Sequence, residues 1–96
     1  MIFHLDFAPQ FQRNFKRLTK KNTPLRERVL KRVEEIAANP EIGENLSGNL
    51  AGKQSIHVAK HWVIIYQVYT NENRIEFQNF DHHDHAYSMQ SELKSF

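Results

Sequence analysis

Trp62-Val63-Ile64-Ile65-Tyr66-Gln67-Val68-Tyr69 is the stretch on which the fold turns. It is apolar on both faces, so a strand formed here is covered on both sides, as a central strand is. Upstream, Gln54 to Ala59 alternates: Ile56 and Val58 point one way, Ser55 and His57 the other. Downstream, Asn71-Glu72-Asn73 is a turn into Arg74 to Phe80, whose Ile75 and Phe77 face the core. Three such runs in succession predict an antiparallel meander.

Working outward, Met1 to Asp6 reads as a short strand. A helix is expected from Pro9, with Phe11, Phe15 and Leu18 on one buried stripe. Thr23-Pro24 reads as the start of a second helix, Thr23 as N-cap and Pro24 at the first helical position. Leu25, Val29, Val33, Ile36 and Ala37 form its stripe, Leu30 lies on the edge, and Asn39-Pro40 ends it. A turn at Lys21-Asn22-Thr23 makes the two helices an antiparallel hairpin. Glu41 to Gly52 holds all three glycines and is expected to be irregular, pinned by Leu46 and Leu50. A short helical tail is expected from about Asp84 to Phe96. The order β-α-α-β-β-β-α predicts an α+β class and a single domain over residues 1–96. The helical hairpin packs on one face of the sheet and leaves the other partly open.

Composition narrows the function. The chain has 96 residues and no cysteine, which excludes a disulfide framework and a thiolate zinc site. Met1 to Asp6 carries no export signal. The longest apolar run, Trp62 to Tyr66, is far short of the roughly 20 residues of a membrane helix. A soluble, cytoplasmic protein with no membrane partner is expected. The formal net charge is +2, but its distribution is uneven. Between Phe7 and Ile36, nine cations face only Glu27, Glu34 and Glu35, a local balance of +6. The remainder is acidic. Such a block is either a solvated helix surface or a surface for a polyanion.

Five of the six histidines lie in the last 40 residues. His57 and His61 flank the turn between the first two strands of the meander, and Asp81-His82-His83-Asp84-His85 follows the last strand. A meander brings His57, His61 and that run toward one end of the sheet. Imidazole exchanges protons near neutral pH. Cutting RNA without a metal needs a base for the 2′-hydroxyl, an acid for the leaving 5′-oxygen and a cation for the phosphate. Converging histidines and a lysine supply all three. Each element has a plainer reading: an exposed sheet position, a solvated turn, a helix cap. Phe80, Trp62 and Tyr87 read as core aromatics or as base-stacking platforms. The 81–85 run also offers metal ligands, but adjacent residues point in different directions, so few could share one ion.

Asn45-Leu46-Ser47-Gly48-Asn49-Leu50-Ala51-Gly52-Lys53, then Ser55-Ile56-His57-Val58, then His61-Trp62-Val63-Ile64-Ile65-Tyr66 resembles the RelE superfamily of type II toxins, in particular its YafQ-like branch. Phe11-Gln12-Arg13-Asn14-Phe15-Lys16-Arg17-Leu18 fits the first helix of that family, and the likeness runs from about Asp6 to Tyr87. The resemblance implies a RelE/ParE-like fold and an mRNA interferase that enters the ribosomal A site. Cleavage would proceed by 2′-hydroxyl attack, with no metal and no cofactor. His57 and His83 fall on catalytic histidines of the pattern and Tyr87 on its C-terminal aromatic. His61 stands where the branch carries an acidic residue, and Glu44 falls near the place of a further family histidine. His83 is then the general acid, and His57 or His61 the base or phosphate ligand. Lys53, Lys60 and Arg74 are the candidates for phosphate contact, with Lys53 and Lys60 steadying the charge. Arg13, Lys16, Arg17 and Lys20 would grip ribosomal RNA. The implied partners are a cognate antitoxin, mRNA and the ribosome, with DNA reached only through the antitoxin. Three other readings stay open: a ParE-type toxin acting on gyrase, a metal-dependent hydrolase, and an inactive relative retained as a binding partner.

Overall fold

The computed structural model describes residues 2–87. Strand β1 (His4–Phe7) leads into helix α1 (Pro9–Thr19) and then helix α2 (Thr23–Ala38). Strands β2 (Glu44–Asn45), β3 (Gln54–Val58), β4 (Trp62–Tyr69) and β5 (Arg74–His82) follow, then the single-turn helix α3 (His83–Ala86). The sheet order is β1-β5-β4-β3-β2, so the doubly apolar β4 is the central strand, as its composition requires. β3, β4 and β5 form the antiparallel meander, while β1 pairs parallel to the first half of β5, from Arg74 to Phe77.

Several local details differ from the sequence expectation. The cap of α2 is Asn22, whose side chain accepts from the Leu25 N–H at 3.2 Å. Thr23 is therefore inside the helix, not before it: the residue one earlier reaches the free amide with a better-suited side chain. The irregular connection contains a fifth strand, β2, tied to Gln54 and Ser55. Of the expected tail helix only the turn His83–Ala86 is described, and the rest lies outside the described residues.

The helical hairpin covers one face of the sheet. Phe11, Leu25, Val29, Val33 and Ile36 meet Val58, Ile64, Tyr66, Ile75, Phe77 and Phe80 there. Phe77 and Phe80 are three apart and would face opposite sides of a regular strand. A bulge reconciles them: Ile65 pairs with Asn79 and Tyr66 with Phe77, so Gln78 has no partner on β4. On the other face Val63 and Ile65 are covered by Ala86, with Leu46 and Tyr87 at the margin.

Tyr66 ties the irregular connection to the core. Its hydroxyl donates to the Pro40 carbonyl at 2.8 Å and accepts from the Gly43 N–H at 2.9 Å. Only glycine fits at 43, because a Cβ there would overlap the Tyr66 hydroxyl and lie 2.9 Å from ring atoms Cε1 and Cζ. Burial pushes the phenol above its ordinary value, against the opposing pull of the Gly43 amide. The folded state thus favours the neutral phenol. That contribution is complete below about pH 10 and is lost as pH rises through the raised value. Tyr66→Phe is expected to cost about 1–3 kcal/mol at neutral pH, since both backbone groups lose their partner. It should also lack the parent's extra alkaline loss. Urea denaturation at neutral and alkaline pH measures both effects; a Phe variant as stable as the parent at neutral pH would remove this account.

Candidate active site

The face of the sheet away from the hairpin carries the site. Ser55 and His57 of β3, with Lys53 just before it, alternate with Ile56 and Val58, which belong to the helix-side core. α3 rises beside them because the His83 N–H donates to the His61 carbonyl at 2.6 Å. His82 caps the same turn, its Nδ1 accepting from the Asp84 N–H at 3.2 Å. The result is a close pair: the His57 and His83 rings lie 5.8 Å apart at an interplanar angle of 26°. Tyr87 stands edge-on to His83 at 6.1 Å and donates its hydroxyl proton to Ser55 Oγ at 3.3 Å. Asp84 Oδ1 lies 3.5 Å from His83 Nδ1, a contact that becomes an ion pair when the imidazole is protonated. Both imidazoles are exposed, so a ligand in solution has access to them.

His61 is placed elsewhere. Its ring stacks on His82 at 5.7 Å and 11°. His82 also meets Trp62 edge-on at 5.5 Å and lies 6.1 Å from His85. The five histidines after residue 56 thus divide into two groups, His57 with His83 and His61 with His82 and His85, joined through the backbone of residues 82 and 83. Trp62 stacks on Phe80 at 5.6 Å and is partly buried, so it packs with the core, as Phe80 does. Among the described residues no three histidine, aspartate or glutamate side chains converge in metal-ligand geometry.

Of the candidate phosphate contacts, Lys53 lies on the site face, two same-side positions from His57. Its ammonium donates to Gln78 Oε1 and, at 3.5 Å, to Gln67 Oε1. Lys60 is exposed in the turn of residues 59–61, away from Lys53. Arg74 is remote, at the opposite end of the nine-residue β5 from His83. It is held by Asp6 at 3.3 Å and Glu72 at 3.1 Å, with its guanidinium 4.2 Å over the Tyr69 ring. The hydrogen bond to Glu72, ahead of Asp6, raises its pKa further. Arg13, Lys16, Arg17 and Lys20 line an open groove on the helical side together with Thr19 and Arg26.

Sequence reasoning missed the polar residues that hold this arrangement. Ser55 is buried, and period-2 spacing from His57 already placed it on the site face. Gln67 and Gln78 join across β4 and β5 at 3.1 Å, and Gln78 also donates to Glu76 at 2.8 Å. Two buried amides complete the set. Asn14 Nδ2 of α1 donates to Asn79 Oδ1 at 3.1 Å, and Asn79 Nδ2 donates to the Ala86 carbonyl of α3 at 3.4 Å. Arg17 donates to Asn14 Oδ1 at 3.1 Å. A polar residue inside an apolar strand was the available signal for Asn79.

A helical hairpin on one face of a five-stranded sheet is a fold shared with toxins of type II toxin-antitoxin systems. The structure matches a YoeB/ParE toxin from Agrobacterium tumefaciens with a TM-score of 0.77 and 18% identity, over 84% of this chain and 99% of that one. It matches the E. coli DinJ-YafQ toxin-antitoxin complex with a TM-score of 0.74 and 16% identity, over 91% of this chain and 99% of that one. In sequence, a Methanocaldococcus jannaschii protein named as toxin RelE4 is 28% identical over 93 residues, covering 97% of this chain and 99% of the relative. The family model described as the ParE-like toxin of type II bacterial toxin-antitoxin systems matches residues 5–91. The chain belongs to that family and is a type II toxin of the RelE superfamily.

Proposed function

We propose that this toxin is an mRNA interferase: an endoribonuclease that cuts mRNA on the ribosome by attack of the 2′-hydroxyl on the adjacent phosphate. The observation that carries this reading is the His57–His83 ring contact at 5.8 Å on the open sheet face. In-line attack places the entering and leaving oxygens on opposite sides of phosphorus. His57 accepts the 2′-hydroxyl proton while His83 donates one to the leaving 5′-oxygen, which leaves a 2′,3′-cyclic phosphate. Asp84 steadies the charged form of His83. Tyr87 and Ser55 fix the edge of the site, and Lys53 lends positive charge to the same face. All of this needs no metal from the protein. The cations of α1 add sequence-independent attraction to RNA phosphates.

In the resting cell a cognate antitoxin is the proposed partner. Its support is that solved relatives of this fold include toxin-antitoxin complexes such as RelBE from E. coli and YoeB-YefM from Staphylococcus aureus. The protein works in the cytoplasm on this reading, and among the described residues no helix is long and apolar enough to cross a membrane.

Primer extension on mRNA from cells making the protein alone tests the reading. New 5′ ends within open reading frames are expected soon after induction. Intact mRNA accompanied by gyrase-linked DNA breaks would replace it with the ParE-type alternative.

A further inference from the structure

Helix α2 has a second basic feature, separate from the α1 groove. Arg28, Lys31, Arg32 and Glu35 recur at i, i+3, i+4 and i+7, so they form one stripe. That stripe lines a cavity of about 290 Å³ with Val58 and Ala59, the end of β3 and the first residue of the turn after it. Arg26, by contrast, lines the groove shared with α1. Arg32 is paired with Glu35 at 2.9 Å. Arg28 and Lys31 are exposed and have no ion pair among the described residues. The cavity therefore holds uncompensated positive charge.

Its position relative to the histidine pair gives the charge a use. β2 pairs only with Gln54 and Ser55, so the outer edge of Ile56, His57 and Val58 has no strand beside it among the described residues. His57 and Val58 are consecutive: His57 faces the site and Val58 the helices. A chain held at His57 thus needs to cross one strand edge to reach the Arg28–Lys31 cavity. Ala59 turns away immediately afterwards in the left-handed region at φ 55°, a costly conformation for a residue with a Cβ. Lys60 follows in the same turn.

We propose that the cleft between α2 and the β3–β4 turn binds the phosphate backbone of single-stranded RNA that runs over the free edge of β3 from the His57–His83 pair. The inference rests on the nuclease reading and adds the path of the substrate strand. Two cations at the mouth of the cleft contact phosphates one or two nucleotides from the scissile bond. They contribute affinity and position without reading sequence.

Binding of a short unstructured RNA oligonucleotide, titrated over a range of salt concentrations, tests the cleft. The His83→Ala background keeps the RNA intact. Each phosphate contact on a single strand contributes roughly 0.7 to the slope of log K against log salt, so Arg28→Gln with Lys31→Gln is expected to lower the slope by about 1.4. Lys21→Gln, one charge in the turn between the helices, should leave it unchanged. An unaltered slope in the double variant overturns the cleft, as does an equal loss per charge in Lys21→Gln, which would make the effect one of net charge. So does weakened antitoxin binding with RNA binding intact, which would assign the cleft to an acidic protein. The nuclease reading fails separately, through the mRNA ends described above.

Discussion

Replacing His83 with alanine is expected to lower mRNA cleavage by about 10²–10⁴-fold while leaving the fold intact. In transition-state terms that is roughly 3–5 kcal/mol, the contribution of one positioned proton donor. Stability should hold because the ring is exposed and the bond that docks α3, from the His83 N–H to the His61 carbonyl, belongs to the backbone. The effect on thermal unfolding should stay within about 0.5 kcal/mol. His57→Ala should fall by a comparable factor, since its ring is the other half of the 5.8 Å contact. His61→Ala should fall much less, because its ring stacks on His82 outside that pair. Cleavage of mRNA by purified variants on programmed ribosomes, beside a melting curve for each, measures the set. Full activity in His83→Ala would end the assignment.

The second large effect concerns the backbone. Inserting one alanine between Ile65 and Tyr66 gives Gln78 a partner on β4 and restores strict alternation along β5. Phe77 and Phe80 then cannot both face the hairpin. Whichever half of the strand keeps its register, one fully buried phenylalanine leaves a cluster that includes Phe11, and Phe15 or Tyr66. Emptying such a site costs about 3–5 kcal/mol, before any apolar ring exposed on the wrong face is considered. Against the 5–15 kcal/mol typical of a whole domain, that is enough to abolish cooperative folding or nearly so. Gln78→Ala is the matched control, as it keeps the bulge and loses only side-chain hydrogen bonds. Urea denaturation followed by near-ultraviolet circular dichroism distinguishes the two. An insertion variant with an unchanged midpoint would show that the core does not depend on the bulge.

Much of this architecture was legible because burial leaves a compositional trace. The run from Trp62 to Tyr66 is apolar on both faces because β4 is central, and the α1 and α2 stripes follow helical spacing onto the core. Features that depend on distant partners left little trace. Glu44 and Asn45 have no strand-like pattern of their own and become β2 by pairing with Gln54 and Ser55. The parallel pairing of β1 with β5 joins segments about 70 residues apart. At Asn22 and Thr23 two good capping residues stand side by side, and composition alone does not choose between them. For the site, His57 was readable from alternation, but the division of the histidines into two groups was not. It depends on where α3 leaves β5, and hence on the backbone bond from His83 to His61. Asn14 and Asn79 are legible only as oddities, polar residues at positions where apolar ones were expected.

Those two amides have a mechanical consequence. Through Asn79 the hairpin layer grips the short turn on the far side of the sheet, so the strands between them act as a rivet hole and not as a wall. Prying α1 loose at Asn14 would also slacken the hold on the turn that carries His83, with no group near the histidines having been touched.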